Sequence, residues 1–324
     1  SAVLGVAFAL GQHDLKRLLA YHSVENIGII LIGLGFAMVA VKSDSPSWAF
    51  LALAGALLHV WNHGLFKSLL FFGAGAVLHA TGTREMSRLG GLWRAMPWTS
   101  GLFALGAIAI CGLPPLNGFV SEWLVSLGLF GSLDSRGGAA VAAAVAMILL
   151  AATGALALAC FSKVCGVVFL GAARTPEAAR ARECGAAMRI PMLVIAAACV
   201  AIGLAPAAFW PALSRACAAW NPAWSGRAAP APLGRLGACA CGFAVAGVLA
   251  AVCLRWRTAS RGLRRAVTWA CGYASPSARG QYTAGSFAST LVSWFAWALH
   301  PERREIRPED VFPRCASLEA HTPD

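Results

Sequence analysis

WAFLALAGALLHVWNHGLFKSLLFFGAGAVLHA, residues 48–80, decides the fold. An apolar run longer than about 18 residues is the signature of a membrane-spanning helix. A helix of 30 residues is about 45 Å long against a hydrocarbon core of about 30 Å. Such a segment must tilt, protrude or break, but it cannot span twice. Six further apolar segments lie on either side: 1–12, 18–41, 98–131, 138–170, 190–212 and 233–254. Composition agrees. Of 324 residues, 58% are hydrophobic and 12% charged, about half the charge of a soluble domain. These observations predict an all-α polytopic membrane protein. It should have about seven transmembrane helices, one of them broken, and a short interfacial helix.

The net charge of +12 does not mark a nucleic-acid binder. The basic residues sit in short clusters between apolar runs, where they orient helices in a bilayer. If the segments alternate, one side receives Lys16, Arg17, Arg84, Arg88, Arg94, Arg174, Arg180, Arg182, Arg189, Arg255 and Arg257. The other receives Lys42, Arg136, Arg215, Arg227 and Arg235. Eleven against five makes the first side cytoplasmic. Loops 81–97 and 171–188 are then cytoplasmic, and 132–137 and 213–232 face outward.

The eleven cysteines include Cys111, Cys160, Cys165, Cys199, Cys239, Cys241 and Cys253, all in apolar stretches. No CxxC pair or metal-spaced His/Cys cluster occurs. Cysteine here reads as a small apolar packing residue, and no disulfide framework, metal site or cofactor site is expected. Ser1 opens the sequence inside an apolar run with no charged leader. It is expected to be the end of a helix whose beginning lies upstream. After Trp256 the chain turns polar. Residues 287–300, FASTLVSWFAWALH, are apolar but too short to span and suit an interfacial helix. PERREIRPED, 301–310, reads as an exposed charged tail.

Ionisable groups inside apolar segments carry the chemistry, because an unpaired charge there is expensive. His59, His63 and Lys67 are spaced i, i+4, i+8, on one helix stripe about 6 Å apart along the axis. Asn62 sits beside them. In a soluble protein such residues are satisfied core polar groups; in a long apolar helix they read as a ladder for protons, since imidazole titrates near neutrality.

Segment 98–131 contains ICGLPPLNGFVSEWLVSL. Gly112, Pro114, Pro115, Asn117 and Gly118 cannot continue an ordinary helix. The halves 99–111 and 119–131 are each about 20 Å long, too short to span alone. One helix broken near mid-membrane fits better than a loop between two, and broken helices line polar cavities in transporters. Glu122 is expected in the first turn of the second half, at the favourable end of the helix dipole. Glu25, with His22 and Asn26, is either part of the relay or a solvated end group. Lys163 either joins the relay or snorkels to the interface.

GQHDLKRLLAYHSVENIGII (11–30), HVWNHGLFKSLLFFGAGAV (59–77) and GLPPLNGFVSEWLV (112–125) resemble the antiporter-like proton-pumping family. That family includes membrane subunits of NADH–quinone oxidoreductase, cation/proton antiporter complexes and membrane-bound hydrogenases. AYHSVENIG (20–28) and TWACGYASPSARGQYTAGSF (268–287) are similar to the hydrogenase-4 and formate hydrogenlyase branch. The resemblance implies two inverted repeats, each with a broken helix, of which this chain holds the second. It also implies that Lys67 is the central buried lysine, with His59 and His63 as relay partners, and that Glu122 is the charged residue of the second broken helix.

The expected organisation is a second repeat over 1–170, additional transmembrane helices over 171–255 and a cytoplasmic tail over 256–324. The expected function is redox-driven proton translocation in the inner membrane. Driving force would come from peripheral hydrogenase or dehydrogenase subunits and other membrane subunits. A secondary cation/proton antiporter, and a hydrogenase anchor that does not pump, are the alternatives.

Overall fold

The computed structural model describes residues 1–42, 46–134, 137–261, 280–306 and 317–321. The chain runs α1 (Ala2–Gly11), α2 (Leu15–Lys42), α3 (Pro46–Thr81), α4 (Leu92–Ala95), α5 (Pro97–Ile110), α6 (Asn117–Ser132) and α7 (Gly138–Val164). It continues with α8 (Pro176–Arg180), α9 (Ala186–Leu204), α10 (Pro206–Trp220), α11 (Leu233–Arg261), α12 (Ala284–Trp294) and α13 (Ala296–Leu299). The body is all-helical. Among the described residues, five stretches are long and apolar enough to cross a membrane: Leu15–Val39, Ser47–Thr81, Gly138–Phe169, Ala186–Leu204 and Leu233–Ser260.

α3 is the hub, packed along α2 and α6 and touching α5 and α9. Small residues let the backbones close up. A β-carbon at Gly55 would lie 2.5 Å from Val125 N, and one at Gly128 would lie 2.8 Å from Ala52 Cα. α1 and α2 form an antiparallel hairpin in which Gly5 meets Glu25 and Gly28 meets Ala2. Its turn is tied by Asp14, whose Oδ1 accepts from Lys16 N at 2.8 Å and Arg17 N at 3.0 Å, an N-cap for α2. Arg84 holds the other carboxylate oxygen at 3.0 Å.

Segment 98–131 is broken as expected. α5 ends in a Schellman motif: Leu113 N–H donates to Ile108 O, Gly112 N–H donates to Ala109 O, and Gly112 has φ +60°. A turn closed by Leu116 N–H on Leu113 O, with a cis Pro114–Pro115 peptide, leads into α6. α5 and α6 make little contact with each other, whereas a hairpin would lay them side by side.

One expectation is corrected. Segment 190–212 is not one helix: the chain breaks at Ala205 (φ −129°, ψ 54°), and Pro206 opens α10. Proline lacks the N–H that a continuing helix needs and pushes its predecessor out of the α region. In the charged tail, Glu302–Ile306 pairs antiparallel with Ser317–His321. Residues 262–279, which hold most of the motif 268–287, and 307–316 lie outside the described residues, as does Arg136.

The apolar segment expected over 287–300 begins as a helix at Ala284, capped by a Thr283–Ser286 box, and breaks at Phe295. α12 packs on α1 and α7, with Trp294 and Trp297 exposed. Arg174 knits this end of the fold together, donating to Leu89 O, Val167 O and Tyr282 O at 2.8 Å each.

α5 has no cap from its own N-terminal residues. Glu183 supplies one, accepting from Trp98 N at 2.7 Å, Thr99 N at 3.3 Å and the Thr99 hydroxyl at 2.5 Å. Partial burial opposes ionisation, but these donors and Cys184 N–H outweigh it and hold the carboxyl below its usual range. A depressed pKa adds stability above the unfolded value, and that stability is lost as pH falls through the folded one. Glu183→Ala should therefore cost about 1 kcal/mol at neutral pH and almost nothing in strong acid. Thermal unfolding in detergent at the two pH values measures this; equal losses at both would refute the cap.

Candidate proton-transfer site

Three helices meet at the break in α5–α6. α2 brings His22, Glu25 and Asn26, α3 brings His59, Asn62, His63 and Lys67, and α6 brings Asn117, Ser121 and Glu122. His22, Asn26, His59, Asn62, Asn117 and Ser121 are wholly buried, and Glu25 is 1% exposed. Burial excludes the reading of Glu25 as a solvated end group. Its carboxylate pairs with His22 Nδ1, one helical turn back.

The contacts run across helices. His59 Nε2 lies 3.0 Å from Asn26 Oδ1 on α2, and His59 Nδ1 lies 2.9 Å from Ser121 Oγ on α6. Asn62 Nδ2 donates to Asn117 O at 2.7 Å and to Ser121 Oγ at 3.0 Å. Lys67 donates to the Leu19 carbonyl of α2 and sits 4.9 Å from the Phe71 ring centre.

Along α3 itself the expected ladder is interrupted. Phe66 stands edge-on to His59 at 6.1 Å and to His63 at 5.7 Å between ring centres. Among the described residues no hydrogen bond joins His59 to His63 or His63 to Lys67. His63 is half-buried, and its Nε2 has no hydrogen-bond partner among the described residues. Groups about 6 Å apart along a helix axis need water between them to pass a proton.

Glu122 lies one turn deeper than expected. α6 begins at Asn117, so the carboxylate is outside the first turn, where the dipole acts. It folds back over Gly112 instead: a β-carbon at Gly112 would lie 2.8 Å from Glu122 Cδ. Lys163 makes no hydrogen bond to these side chains among the described residues, although it and His22 both interact with Cys160. At 1% exposure, its amine donates to Leu10 O at 2.6 Å and Gln12 O at 3.1 Å, capping the end of α1. No snorkelling occurs. α7 widens into a π-helical turn at Cys165–Phe169 just beyond it.

Sequence reasoning missed Ser121 and Gln12. Ser121 had one signal, its place next to Glu122 behind the break; Gln12 had none.

Fold and site together define a polytopic helical membrane domain with a polar core at a broken helix. Residues 1–151 match the NADH:quinone oxidoreductase/Mrp antiporter transmembrane family. This matched segment holds every predicted site residue except Lys163. Hydrogenase-4 component B of Escherichia coli (strain K12) is 47% identical over 206 residues, 63% of this chain and 30% of that protein. Formate hydrogenlyase subunit 3 of the same strain is 39% identical over 317 residues, 97% of this chain and 51% of that protein. The chain thus spans about half the length, or less, of these relatives. Among solved structures, the archaeal membrane-bound sulfane sulfur reductase shares the fold, with a TM-score of 0.72 over 92% of this chain and 46% of that one at 24% identity.

Proposed function

We propose that this chain is part of a proton-translocating subunit of a redox-driven membrane complex of hydrogenase or NADH–quinone oxidoreductase type. One observation carries the reading: a buried set of hydrogen-bonded polar side chains joins α2, α3 and α6 at a helix break. Charges and amides at that depth cost free energy unless the environment is wet or paired. Two buried atoms there, Asn62 Oδ1 and His63 Nε2, have no hydrogen-bond partner among the described residues, while the His22 ring and the Asn117 amide have only the thiols of Cys160 and Cys199 beside their unfilled atoms. Each would cost about 1–3 kcal/mol if dry, so the site favours water, the medium a relay needs.

A proton enters from the cytoplasm near Glu25 and passes Lys67, His63 and His59. It leaves outward by way of Glu122. Lys163 holds the α1–α2 turn at the entrance.

In this reading the domain crosses the inner membrane about seven times, counting α5–α6 as one broken span, with residues 1–170 as the second repeat, 171–255 as additional spans and 256–324 as a cytoplasmic tail. Its partners are other membrane subunits and peripheral hydrogenase or dehydrogenase subunits, which hold the redox cofactors. Sidedness is testable with single cysteines on a background lacking the native ones. Arg88→Cys should react with an impermeant thiol reagent only from the cytoplasm, and Ser225→Cys only from outside. The reverse pattern would overturn the orientation, and labelling of both from one side would overturn the helix count. Both side chains are exposed, whereas neighbouring Met86 is buried.

A second reading is cation/proton exchange, favoured by the antiporter members of the matched family and by Glu122, whose carboxylate has no hydrogen-bond partner among the described residues. Proton uptake by inverted vesicles separates the two. Uptake that follows electron flow and ignores sodium supports the relay; uptake that requires a sodium gradient replaces it with exchange. A non-pumping anchor would need none of these buried groups.

A further inference from the structure

We propose that Ser121 passes protons: through its hydroxyl, His59 exchanges a proton with the helix break, at Nδ1 and never at Nε2. This rests on the relay reading and adds to it a residue and a direction.

Asn26 fixes the tautomer of His59. One terminal atom of the Asn26 amide lies 2.7 Å from His22 O, which only accepts, so that atom is Nδ2. The other, Oδ1, faces His59 Nε2 at 3.0 Å. An amide oxygen also only accepts, so Nε2 carries its hydrogen whether the imidazole is neutral or cationic. Nδ1 is then the nitrogen that changes, and its partner at 2.9 Å is Ser121 Oγ.

Asn62 constrains Ser121 from the other side. Its Nδ2 is identified by the bond to Asn117 O at 2.7 Å, and it gives its second hydrogen to Ser121 Oγ at 3.0 Å. One lone pair and one O–H remain on the hydroxyl. When His59 is neutral, Nδ1 is an acceptor and the Ser121 O–H points to it. When His59 is cationic, Nδ1–H takes the remaining lone pair and the O–H swings to Gly118 O, 3.0 Å away in the first turn of α6. Both arrangements satisfy His59 Nδ1 and the Ser121 hydroxyl with the heavy atoms fixed. His59, Asn26, Asn62 and Ser121 are all fully buried, so bulk water does not compete.

The transfer balances without redox change. Nδ1–H breaks as a new O–H forms on Ser121, and the former Ser121 proton leaves only after its O–H turns from Gly118 O to a water molecule at the break. One positive charge leaves the imidazolium with it. Asn117, whose buried amide touches the Cys199 thiol but bonds no nitrogen or oxygen among the described residues, is placed to hold that water. A hydroxyl serving only as a tether would be satisfied by Asn62 and Gly118 and would need no histidine.

The test uses the full-length protein in its membrane assembly. Nitrogen-15 NMR of labelled histidine, with His59 assigned by its loss in His59→Gln, should show neutral His59 protonated at Nε2 and bare at Nδ1; the opposite tautomer overturns the proposal. Ser121→Ala should lower proton uptake per assembled complex at least tenfold, with Ser121→Thr, which keeps the hydroxyl, restoring most of it. Uptake by Ser121→Ala within twofold of wild type refutes the proposal while leaving Lys67 and Glu122 in the relay. If Lys67→Ala and Glu122→Gln also transport normally, the relay reading itself has failed. Should Ser121→Ala not assemble, the wild-type tautomer decides.

Discussion

Lys67→Ala in the full-length protein should lower redox-driven proton uptake by about a hundredfold or more, the scale of a lost acid–base group, while the complex still assembles. The packing cost is modest. Lys67 donates to Leu19 O inside α2, and that carbonyl keeps its place in the helix when the amine is removed. Loss of the side-chain stem costs about 2 kcal/mol, which a many-helix body tolerates. Glu122→Gln should have the same effect on uptake with an even smaller structural cost, because the amide keeps the shape that packs over Gly112. The readout is proton uptake into inverted vesicles, alongside redox turnover and the amount of assembled complex. Normal uptake by both variants would defeat the relay; loss of assembly in both would mean that the charges only hold helices together. Ser68→Ala is the control on the same helix, since its side chain is exposed. Leu70 is a poor control: it is fully buried and packs on Gly106.

What the sequence made legible was local. The length of 48–80, the i, i+4, i+8 spacing of His59, His63 and Lys67, and the Gly–Pro–Pro–Asn–Gly break are visible because helix period and helix breaking act over a few residues. Which helices touch is another matter. His59 finds Asn26, 33 residues away, and Ser121, 62 residues away; Lys163 caps Leu10 across 153. No periodicity carries that information, so a ladder along one helix was expected where a bridge across three exists. The boundary at Pro206 was readable in principle, but an unbroken apolar run outweighed one proline. The start of α6 shows a finer limit. A shift of two residues in a helix boundary carried Glu122 out of reach of the dipole.

The break itself divides into a glycine that builds it and a glycine that serves it. Gly118→Ala should prevent assembly. A β-carbon there would run into Ala109 O and lie 3.0 Å from Ala109 C. Both are backbone atoms at the end of α5, so neither can swing aside. Driving α6 away from α5 costs about 3 kcal/mol, and little complex should reach the membrane. Gly112→Ala should assemble in reduced amount and transport poorly. Its φ of +60° costs an alanine about 1–2 kcal/mol. The obstruction its β-carbon meets, however, is the end of a flexible side chain, the Glu122 carboxylate, with Cδ at 2.8 Å and Oε1 at 2.9 Å. That carboxylate can move, and in moving it leaves the position from which a proton departs. Membrane content measured by immunoblot, with proton uptake normalised to it, separates the two effects. If Gly112→Ala kept wild-type uptake per complex, the carboxylate's seat over Gly112 would be irrelevant to transport. If Gly118→Ala assembled normally, the close approach of α6 to the end of α5 would not be what holds the break.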